Sequence, residues 1–194
     1  MGMIRTLSGF LGLPSDWDFL PWPHSSSEGD VLLGYSMGGR LALQLLEQER
    51  FAKAIIVSAG LNAPDGERRK RDAEWARRFE SEAWTSLMQR WNAQPVFGGH
   101  VVERREDDYD RAELARQLIE WSPAVLPPPR LESIETPVLW IAGERDAKYV
   151  EVGRQAVERL PHAELWICPD AGHRVPWEQP EAFVRQLRRF LDLH

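Results

Sequence analysis

The sequence predicts an α/β fold, in which a mostly parallel sheet is flanked by helices and interrupted by a helical insertion. Three observations support this class. Short apolar runs alternate with helical patterns, and such alternation produces parallel strands joined by right-handed crossovers. One long internal stretch shows helical patterns alone. A serine between two glycines stands where an apolar run meets a helical pattern. The 194 residues are enough for one domain-sized core.

Five apolar runs have the length and composition of buried strands. The predicted strands are residues 4–7, 31–34, 54–58, 138–142 and 165–168. Helical patterns lie between them, and the predicted helices of the core are residues 41–48, 152–160 and 181–193. The last helix places Phe183, Leu187 and Leu191 on one face, as expected of a helix that packs on a sheet.

Residues 62–129 interrupt the alternation, since they contain no convincing strand. Their helical patterns are residues 67–81, 85–91 and 111–121. We therefore predict an α/β core formed by residues 1–61 and 130–194, and a helical cap, or lid, formed by residues 62–129. The insertion follows the strand after the serine motif. We expect it to lie over the carboxyl ends of the strands, where such sheets bind ligands.

Charge, cysteine content and hydropathy restrict the function classes. The net charge of −6 disfavours nucleic acid as a partner. Cys168 is the only cysteine, which fits a reducing cytoplasm. The N-terminus lacks the apolar segment of a signal peptide, and no window approaches about 18 consecutive apolar residues, so a membrane partner is not expected. Metal-ligand spacings and glycine-rich phosphate loops are absent from the sequence, so we predict no metal and no cofactor.

The segment GYSMG at residues 34–38 predicts a nucleophilic serine. A tight turn from strand to helix exposes the central hydroxyl, here that of Ser36, and the two glycines let the neighbouring backbone pass without a Cβ clash. A serine hydroxyl needs a base, and the base needs a third group to orient it. Asp146 and His173 each follow a predicted strand. The chain order serine, acid, histidine is the one known for triads whose serine lies on a tight strand-to-helix turn. These three residues form the predicted catalytic triad.

An oxyanion hole requires two backbone N–H groups directed at the developing negative charge. The residue after the nucleophile supplies one of them, and that residue is Met37. The loop at residues 8–12 follows the first strand and is rich in small residues. We predict that Phe10 in this loop supplies the second amide.

These motifs resemble those of the α/β-hydrolase superfamily, and more narrowly those of the 2-succinyl-6-hydroxy-2,4-cyclohexadiene-1-carboxylate (SHCHC) synthase family of menaquinone biosynthesis. The similar segments are GYSMGGR at 34–40, GFLG at 9–12, GERDAKY at 143–149, AGH at 171–173 and the cap stretches 67–79 and 91–97. The resemblance implies substrate-binding roles for Tyr35, Arg40, Arg68 and Trp91, with the two arginines holding substrate carboxylates. It also implies a reaction in which the triad removes a proton and pyruvate leaves, without ester hydrolysis.

The chain departs from this family pattern near its N-terminus. The oxyanion loop of the family begins His-Gly, whereas this loop begins Ser8-Gly9. The segment between Gly12 and Asp30 is too short for the strand, helix and Gly-His-Gly loop that usually precede the serine. The predicted α/β-hydrolase sheet is therefore of reduced size. The strand at 4–7 should lie near an edge, where pairing with a second copy would give a homodimer.

Three functions remain open, and the expected partner is a small-molecule substrate. The complete triad favours hydrolysis of a small ester or thioester, of the carboxylesterase or thioesterase type, on a substrate that can carry a carboxylate. The implied roles of Arg40, Arg68 and Trp91 favour the synthase-type elimination. A non-catalytic binding relic is the third reading. The family pattern also has an aromatic residue where this chain has Asn92, and a second histidine after His173 that this chain lacks. Hydrolysis ranks first, because these lost residues affect synthase specificity while the triad is intact.

Overall fold

The computed structural model describes residues 4–18 and 30–192. Within them the chain divides into two compact units. The core unit comprises the chain up to residue 60 and again from residue 129, and the helical unit comprises residues 61–128. The described residues contain no helix that is both long enough and apolar enough to cross a membrane.

The core unit is built on one five-stranded sheet whose strands lie side by side in chain order. They are β1 (Ile4–Leu7), β2 (Val31–Tyr35), β3 (Lys53–Val57), β4 (Val138–Gly143) and β5 (Ala163–Cys168). Each strand pairs in parallel with the next. The predicted α/β fold with a small parallel sheet is confirmed. β1 forms one edge of this sheet as described, and the homodimer through that edge stays a prediction.

The described residues form seven α-helices. They are α1 (Met37–Leu46), α2 (Gly66–Ser81), α3 (Trp84–Asn92), α4 (Arg111–Glu120), α5 (Ala147–Arg159), α6 (Val175–Glu178) and α7 (Pro180–Phe190). α1 begins at Met37 rather than at the predicted residue 41, because the tight turn at Ser36 leads directly into the first helical turn. α6 was not predicted, since a single turn is too short to show a helical period.

The hydrophobic core of the core unit joins the sheet to α7. Alternate residues of the central strands contribute to it, among them the fully buried Leu33, Ile55 and Ile141. Phe183 and Leu187 of α7 belong to the same cluster, and they lie on the face that the sequence predicted. Burial of one such side chain contributes roughly 1.5–3 kcal/mol. This layer therefore holds the strands, and the loops that follow them, in fixed register.

The helical unit consists of α2, α3 and α4 with an aromatic cluster. Phe79 of α2 is fully buried, and the Trp91 ring of α3 lies 5.5 Å from its ring and 5.0 Å from that of Trp75. The side chains of Asp65 and Asp110 accept hydrogen bonds from the first amides of α2 and α4. Both helices therefore begin at a capped N-terminus, which stabilises each of them by about 1 kcal/mol.

Candidate active site

Ser36 occupies a strained turn between β2 and α1. Its backbone has a φ of 52° and a ψ of −110°, a conformation that non-glycine residues seldom adopt. Its amide donates a hydrogen bond of 2.8 Å to the carbonyl of Val57 on β3. A Cβ on Gly38 would lie 2.0 Å from the carbonyl oxygen of Leu7, so a side chain there would displace the backbone of β1. Close packing therefore holds Ser36 at the carboxyl end of β2.

Three side chains from three loops meet at this turn. Oγ of Ser36 lies 3.1 Å from Nε2 of His173, and Nδ1 of His173 lies 2.8 Å from Oδ2 of Asp146. A carboxylate only accepts hydrogen bonds, so we assign the imidazole proton to Nδ1, which leaves Nε2 to accept from the serine hydroxyl. The His173 side chain is 3% exposed. This arrangement can take the hydroxyl proton as the oxygen attacks an electrophile.

The strand register brings these loops together. β2, β3 and β4 run level near their carboxyl ends, because Tyr35 pairs with Val57 and Val57 pairs with Ile141. The last residues of β4 and β5, Gly143 and Cys168, pair with each other. The loops that follow parallel strands all begin at the carboxyl ends of those strands, so the serine, acid and histidine loops lie next to one another.

The acid loop and the histidine loop also contact each other through their backbones. The amide of Arg145 donates to the carbonyl of Ala171 at 2.8 Å. A Cβ on Gly143 would lie 2.0 Å from the carbonyl oxygen of Gly172, which shows how closely the two loops pack. The separation between Asp146 and His173 is thus set by backbone contacts as well as by their side chains.

Glu178 belongs to this site and was not among the predicted residues. Its carboxylate accepts hydrogen bonds from the amides of Gly172 and Arg174, at 2.8 and 2.9 Å, one on each side of His173. An acidic residue that reaches back to the start of its own helix has a known spacing. Arg174 and Glu178 are four positions apart, one more than in that pattern, and Arg174 is not a capping residue, so no sequence signal marks Glu178.

Aromatic rings surround the imidazole. The ring of Tyr149 lies 4.6 Å from that of His173, and the ring of Tyr35 lies 5.8 Å from it. Trp177 packs edge-on against Tyr35 at 4.9 Å. Burial raises the pKa of the Tyr35 phenol, and the Arg174 guanidinium beside it acts in the opposite direction. The Tyr35 phenol is therefore buried and protonated beside His173, and its contact with substrate stays a prediction.

The predicted oxyanion donors, Met37 and Phe10, belong to two different segments of the core unit. Met37 is the first residue of α1, so the helix itself offers its amide no acceptor. Gly9, which precedes Phe10, packs against the turn: a Cβ there would lie 3.4 Å from the Cβ of Ser36. The donor roles of Met37 and Phe10 stay predictions.

Trp17 anchors the loop that carries Phe10. Its indole N–H donates to the hydroxyl of Ser8 at 3.1 Å. The Trp17 ring is buried and lies 5.3 Å from the Trp177 ring. The amide of Gly12 donates to the carbonyl of Gly9 at 2.9 Å and closes the turn. The loop is therefore fixed to the core although it lacks the histidine of the family pattern.

The predicted substrate-binding residues lie in both units. Arg40, in the first turn of α1, is 8% exposed. Arg68 and Trp91 belong to the helical unit, where Nε of Arg68 donates to both carboxylate oxygens of Asp72 at 2.8 and 2.9 Å. Asp72 also accepts a bond of 2.6 Å from the hydroxyl of Ser122. The substrate contacts of Arg40, Arg68 and Trp91 stay predictions.

Ser58 is a second strained serine at the carboxyl end of the sheet. It follows β3 with a φ of 48° and is fully buried. Its hydroxyl has no hydrogen-bond partner among residues 4–18 and 30–192. Ser58 is therefore a buried polar group outside the hydrogen bonds that join Ser36, His173 and Asp146.

The residues that the structure describes contain no group of three or more His, Cys, Asp or Glu side chains that could hold a metal ion.

Comparison with known proteins identifies related sequences over most of the chain. The model of the alpha/beta hydrolase family matches residues 7–186. SHCHC synthase of Escherichia coli O7:K1 is 31% identical over 174 residues, which cover 82% of this chain and 67% of the relative. The synthase of the same name from Serratia proteamaculans is 31% identical over 175 residues, with the same coverage of both chains.

Solved structures share the fold at lower sequence identity. The structure of MenH from S. aureus has a TM-score of 0.85 and 20% identity, and the match covers 98% of this chain and 93% of that one. A thermophilic esterase from Thermogutta terrifontis, solved with malate bound, has a TM-score of 0.62 and 22% identity, with coverage of 84% and 64%. At these identities the likeness concerns the fold alone.

Proposed function

We propose, from the premise that the chain belongs to the α/β-hydrolase family, that this enzyme is a serine hydrolase of the carboxylesterase or thioesterase type. The observation that carries the proposal is the row of hydrogen bonds from Ser36 through His173 to Asp146, at 3.1 and 2.8 Å. The proposed substrate is a small ester or thioester. A carboxylate on that substrate would match the charge of Arg40.

The first half of the proposed reaction forms an acyl-enzyme. Nε2 of His173 takes the hydroxyl proton as Oγ of Ser36 bonds to the acyl carbon, and Asp146 stabilises the resulting imidazolium. The carbonyl oxygen becomes an oxyanion that accepts from the amides of Met37 and Phe10. The imidazolium then gives its proton to the leaving alcohol or thiol, the bond to the leaving group breaks, and acyl-Ser36 remains.

Water completes the proposed reaction. His173 takes a proton from a water molecule as the water oxygen bonds to the acyl carbon, and the oxyanion forms again. The imidazolium returns the proton to Oγ of Ser36 as that ester bond breaks. The carboxylic acid product leaves, and the hydroxyl and the neutral imidazole are regenerated.

Two measurements test this proposal. A short-chain p-nitrophenyl ester should release p-nitrophenol in a burst followed by a slower steady rate, because an acyl-enzyme accumulates. A fluorophosphonate probe should label Ser36, and His173→Ala should abolish the labelling. A folded protein that shows neither turnover nor labelling would contradict the proposal and favour the binding relic.

Synthase-type elimination is the second candidate, and the 31% identity to proteins named SHCHC synthase favours it. In this reaction the triad would remove a proton from the substrate and pyruvate would leave, without an acyl-Ser36 intermediate. Arg40 and Arg68 would hold substrate carboxylates. Release of pyruvate from the menaquinone precursor, lost in Arg40→Ala and in Ser36→Ala, would support elimination over hydrolysis.

A further inference from the structure

The amides on both sides of His173 donate to one carboxylate. Oε2 of Glu178 accepts from the amide of Gly172 at 2.8 Å, and Oε1 accepts from the amide of Arg174 at 2.9 Å. Hydrogen bonds to an ionised carboxylate are about twice as strong as those between neutral groups. The backbone that carries His173 is thus held from both sides by a single side chain.

The local sequence makes this contact possible. Glu178 ends the short helix α6, and its own amide donates to the carbonyl of Arg174 at 2.9 Å, so the two residues lie one helical turn apart. A Cβ on Gly172 would lie 3.1 Å from Oε1 and 3.2 Å from Oε2 of the carboxylate, so glycine leaves the room that Glu178 occupies. The Glu178 side chain is 11% exposed, so water competes little for its oxygens.

The same carboxylate also connects the histidine loop to the acid loop. Nη2 of Arg145 lies 3.4 Å from Oε2 of Glu178, and its guanidinium donates to the carbonyl of Asp170 as well. Arg145 precedes Asp146 in the chain. Glu178 therefore contacts both of the loops whose separation decides whether Asp146 can orient the imidazole.

We propose that Glu178 is a positioning residue for the general base, and that its paired hydrogen bonds fix the backbone of His173 so that Nε2 faces the hydroxyl of Ser36. This inference depends on the proposed role of His173. Reacting groups must be held within a fraction of an ångström, and a misplacement of about 1 Å can cost roughly 100-fold in rate. The hydrogen bonds of Glu178 go to Arg145, Gly172 and Arg174 rather than to Ser36, so it acts through the position of His173.

The substitution Glu178→Gln separates positioning from bulk. The amide side chain has the same size, but it offers one oxygen as acceptor and turns an NH₂ group toward the second backbone N–H. One of the two hydrogen bonds is replaced by a contact between two donors. The loop on one side of His173 should then move, while the rest of the core unit keeps its packing.

Glu144→Gln is the matched control. Glu144 also accepts from the histidine loop, since its Oε2 lies 3.1 Å from the amide of Asp170. It is exposed, and its contact lies farther along the loop from His173. The control therefore removes a carboxylate that contacts the same histidine loop, without altering the two amides that flank the histidine.

The experiment measures the second-order rate constant for labelling of Ser36 by a fluorophosphonate, at a temperature where circular dichroism shows each protein folded. We expect Glu178→Gln to slow labelling by about 10- to 100-fold and Glu144→Gln to keep the wild-type rate within about twofold. With a p-nitrophenyl ester, Glu178→Gln should lower kcat and leave KM unchanged. Labelling of folded Glu178→Gln at the wild-type rate would overturn the proposal.

Further variants keep the test decisive. If Glu178→Gln does not fold, Glu178→Asp replaces it, because its shorter carboxylate cannot reach both amides and should show the same loss of rate. Failure of both variants to fold would overturn the positioning role in favour of a purely structural one. Failure of the wild-type protein to label, or labelling of His173→Ala at the wild-type rate, would instead overturn the proposed function itself.

Discussion

Ser36 and His173 stand 137 positions apart in the chain, and yet Oγ of one lies 3.1 Å from Nε2 of the other. The contact depends on backbone packing, because each residue sits in a loop that follows its own strand. A pair that is already aligned avoids part of the ordering cost that a flexible site would incur during the reaction.

Removal of either partner should abolish most of the ester hydrolysis. We expect Ser36→Ala and His173→Ala each to lower kcat/KM by about 10⁴-fold or more, and the double variant to lose little beyond either single one, because the residues act as a unit. His162→Ala is the control, since that exposed imidazole pairs with Glu135 at 3.7 Å on the surface. Steady-state hydrolysis of a p-nitrophenyl ester measures all four proteins. Multiplicative losses in the double variant would contradict the shared role.

The turn that carries Ser36 should not tolerate a side chain at Gly38. A Cβ there would lie 2.0 Å from the carbonyl oxygen of Leu7, whereas a Cβ on Gly66 would meet nothing within 4 Å. We expect Gly38→Ala to lower the free energy of unfolding by more than about 2 kcal/mol. Gly66→Ala should raise it by roughly 0.4–1 kcal/mol, because alanine restricts the unfolded chain. Urea denaturation checks both, and equal effects would refute the steric explanation.

Much of the fold, and the side chains that meet in the candidate site, could be predicted from local sequence signals. Each strand is an apolar run that ends at a polar loop, and in a parallel sheet those loops all lie at the carboxyl ends of the strands. The proximity of Ser36, Asp146 and His173 follows from this rule alone. Their catalytic roles, like that of the oxyanion donors, stay predictions.

Two features of the site could not be predicted, for a common physical reason. Glu178 matters through two backbone amides, and which amides it reaches depends on the path of the loop before α6. Ser58 is unusual only because its buried hydroxyl has no partner among the described residues. Backbone paths and missing partners leave no mark on residue type or periodicity. The early start of α1 is a related case, since the glycines after Met37 carry no apolar period.

The two buried serines Ser58 and Ser122 should respond differently to loss of their hydroxyls. The Ser58 hydroxyl has no partner within the described residues, so Ser58→Ala removes an unsatisfied polar group and should leave the free energy of unfolding unchanged or raise it. The Ser122 hydroxyl donates to the buried Asp72 at 2.6 Å. Ser122→Ala should cost about 1–3 kcal/mol. Thermal melts of the two variants decide the matter, and a larger loss for Ser58→Ala would be the opposite of our expectation.

The thiol of Cys168 should be unreactive in the folded protein. Burial, together with the negative charges of Glu178, Asp170 and Glu144, raises the pKa of this thiol from its ordinary value of 9.0 to about 11. The thiolate is the reactive form, and little of it exists at pH 8. We expect no reaction with Ellman's reagent at pH 8 until urea unfolds the chain, and one equivalent afterwards. Rapid reaction of the native protein would show that the reagent reaches the Cys168 thiol in the folded state.

The same thiol should make stability depend on alkaline pH. The folded pKa is the higher one, so the unfolded chain binds fewer protons above pH 9. The contribution of Cys168 to stability is therefore fully present below about pH 9 and is lost as the pH rises toward about 11. Cys168→Ala should remove this part of the decline in urea midpoints. An unchanged pH dependence in the variant would assign the decline to other groups.

Arg68 offers a test of carboxylate recognition that leaves the triad untouched. Its Nε is engaged by Asp72, and its side chain is 36% exposed, so the guanidinium is fixed at one end and accessible at the other. If it holds a substrate carboxylate, Arg68→Ala should raise KM for a carboxylate-bearing ester by roughly 10- to 100-fold, the equivalent of about 1.5–3 kcal/mol. The matched control Arg69→Ala removes the same charge from an exposed neighbouring position on α2. Hydrolysis of a neutral ester of the same size should be unaffected by either variant, because no carboxylate is present. Equal changes in KM for the charged and the neutral ester would mean that Arg68 only supports the helical unit through Asp72, and the carboxylate would then have to be bound elsewhere.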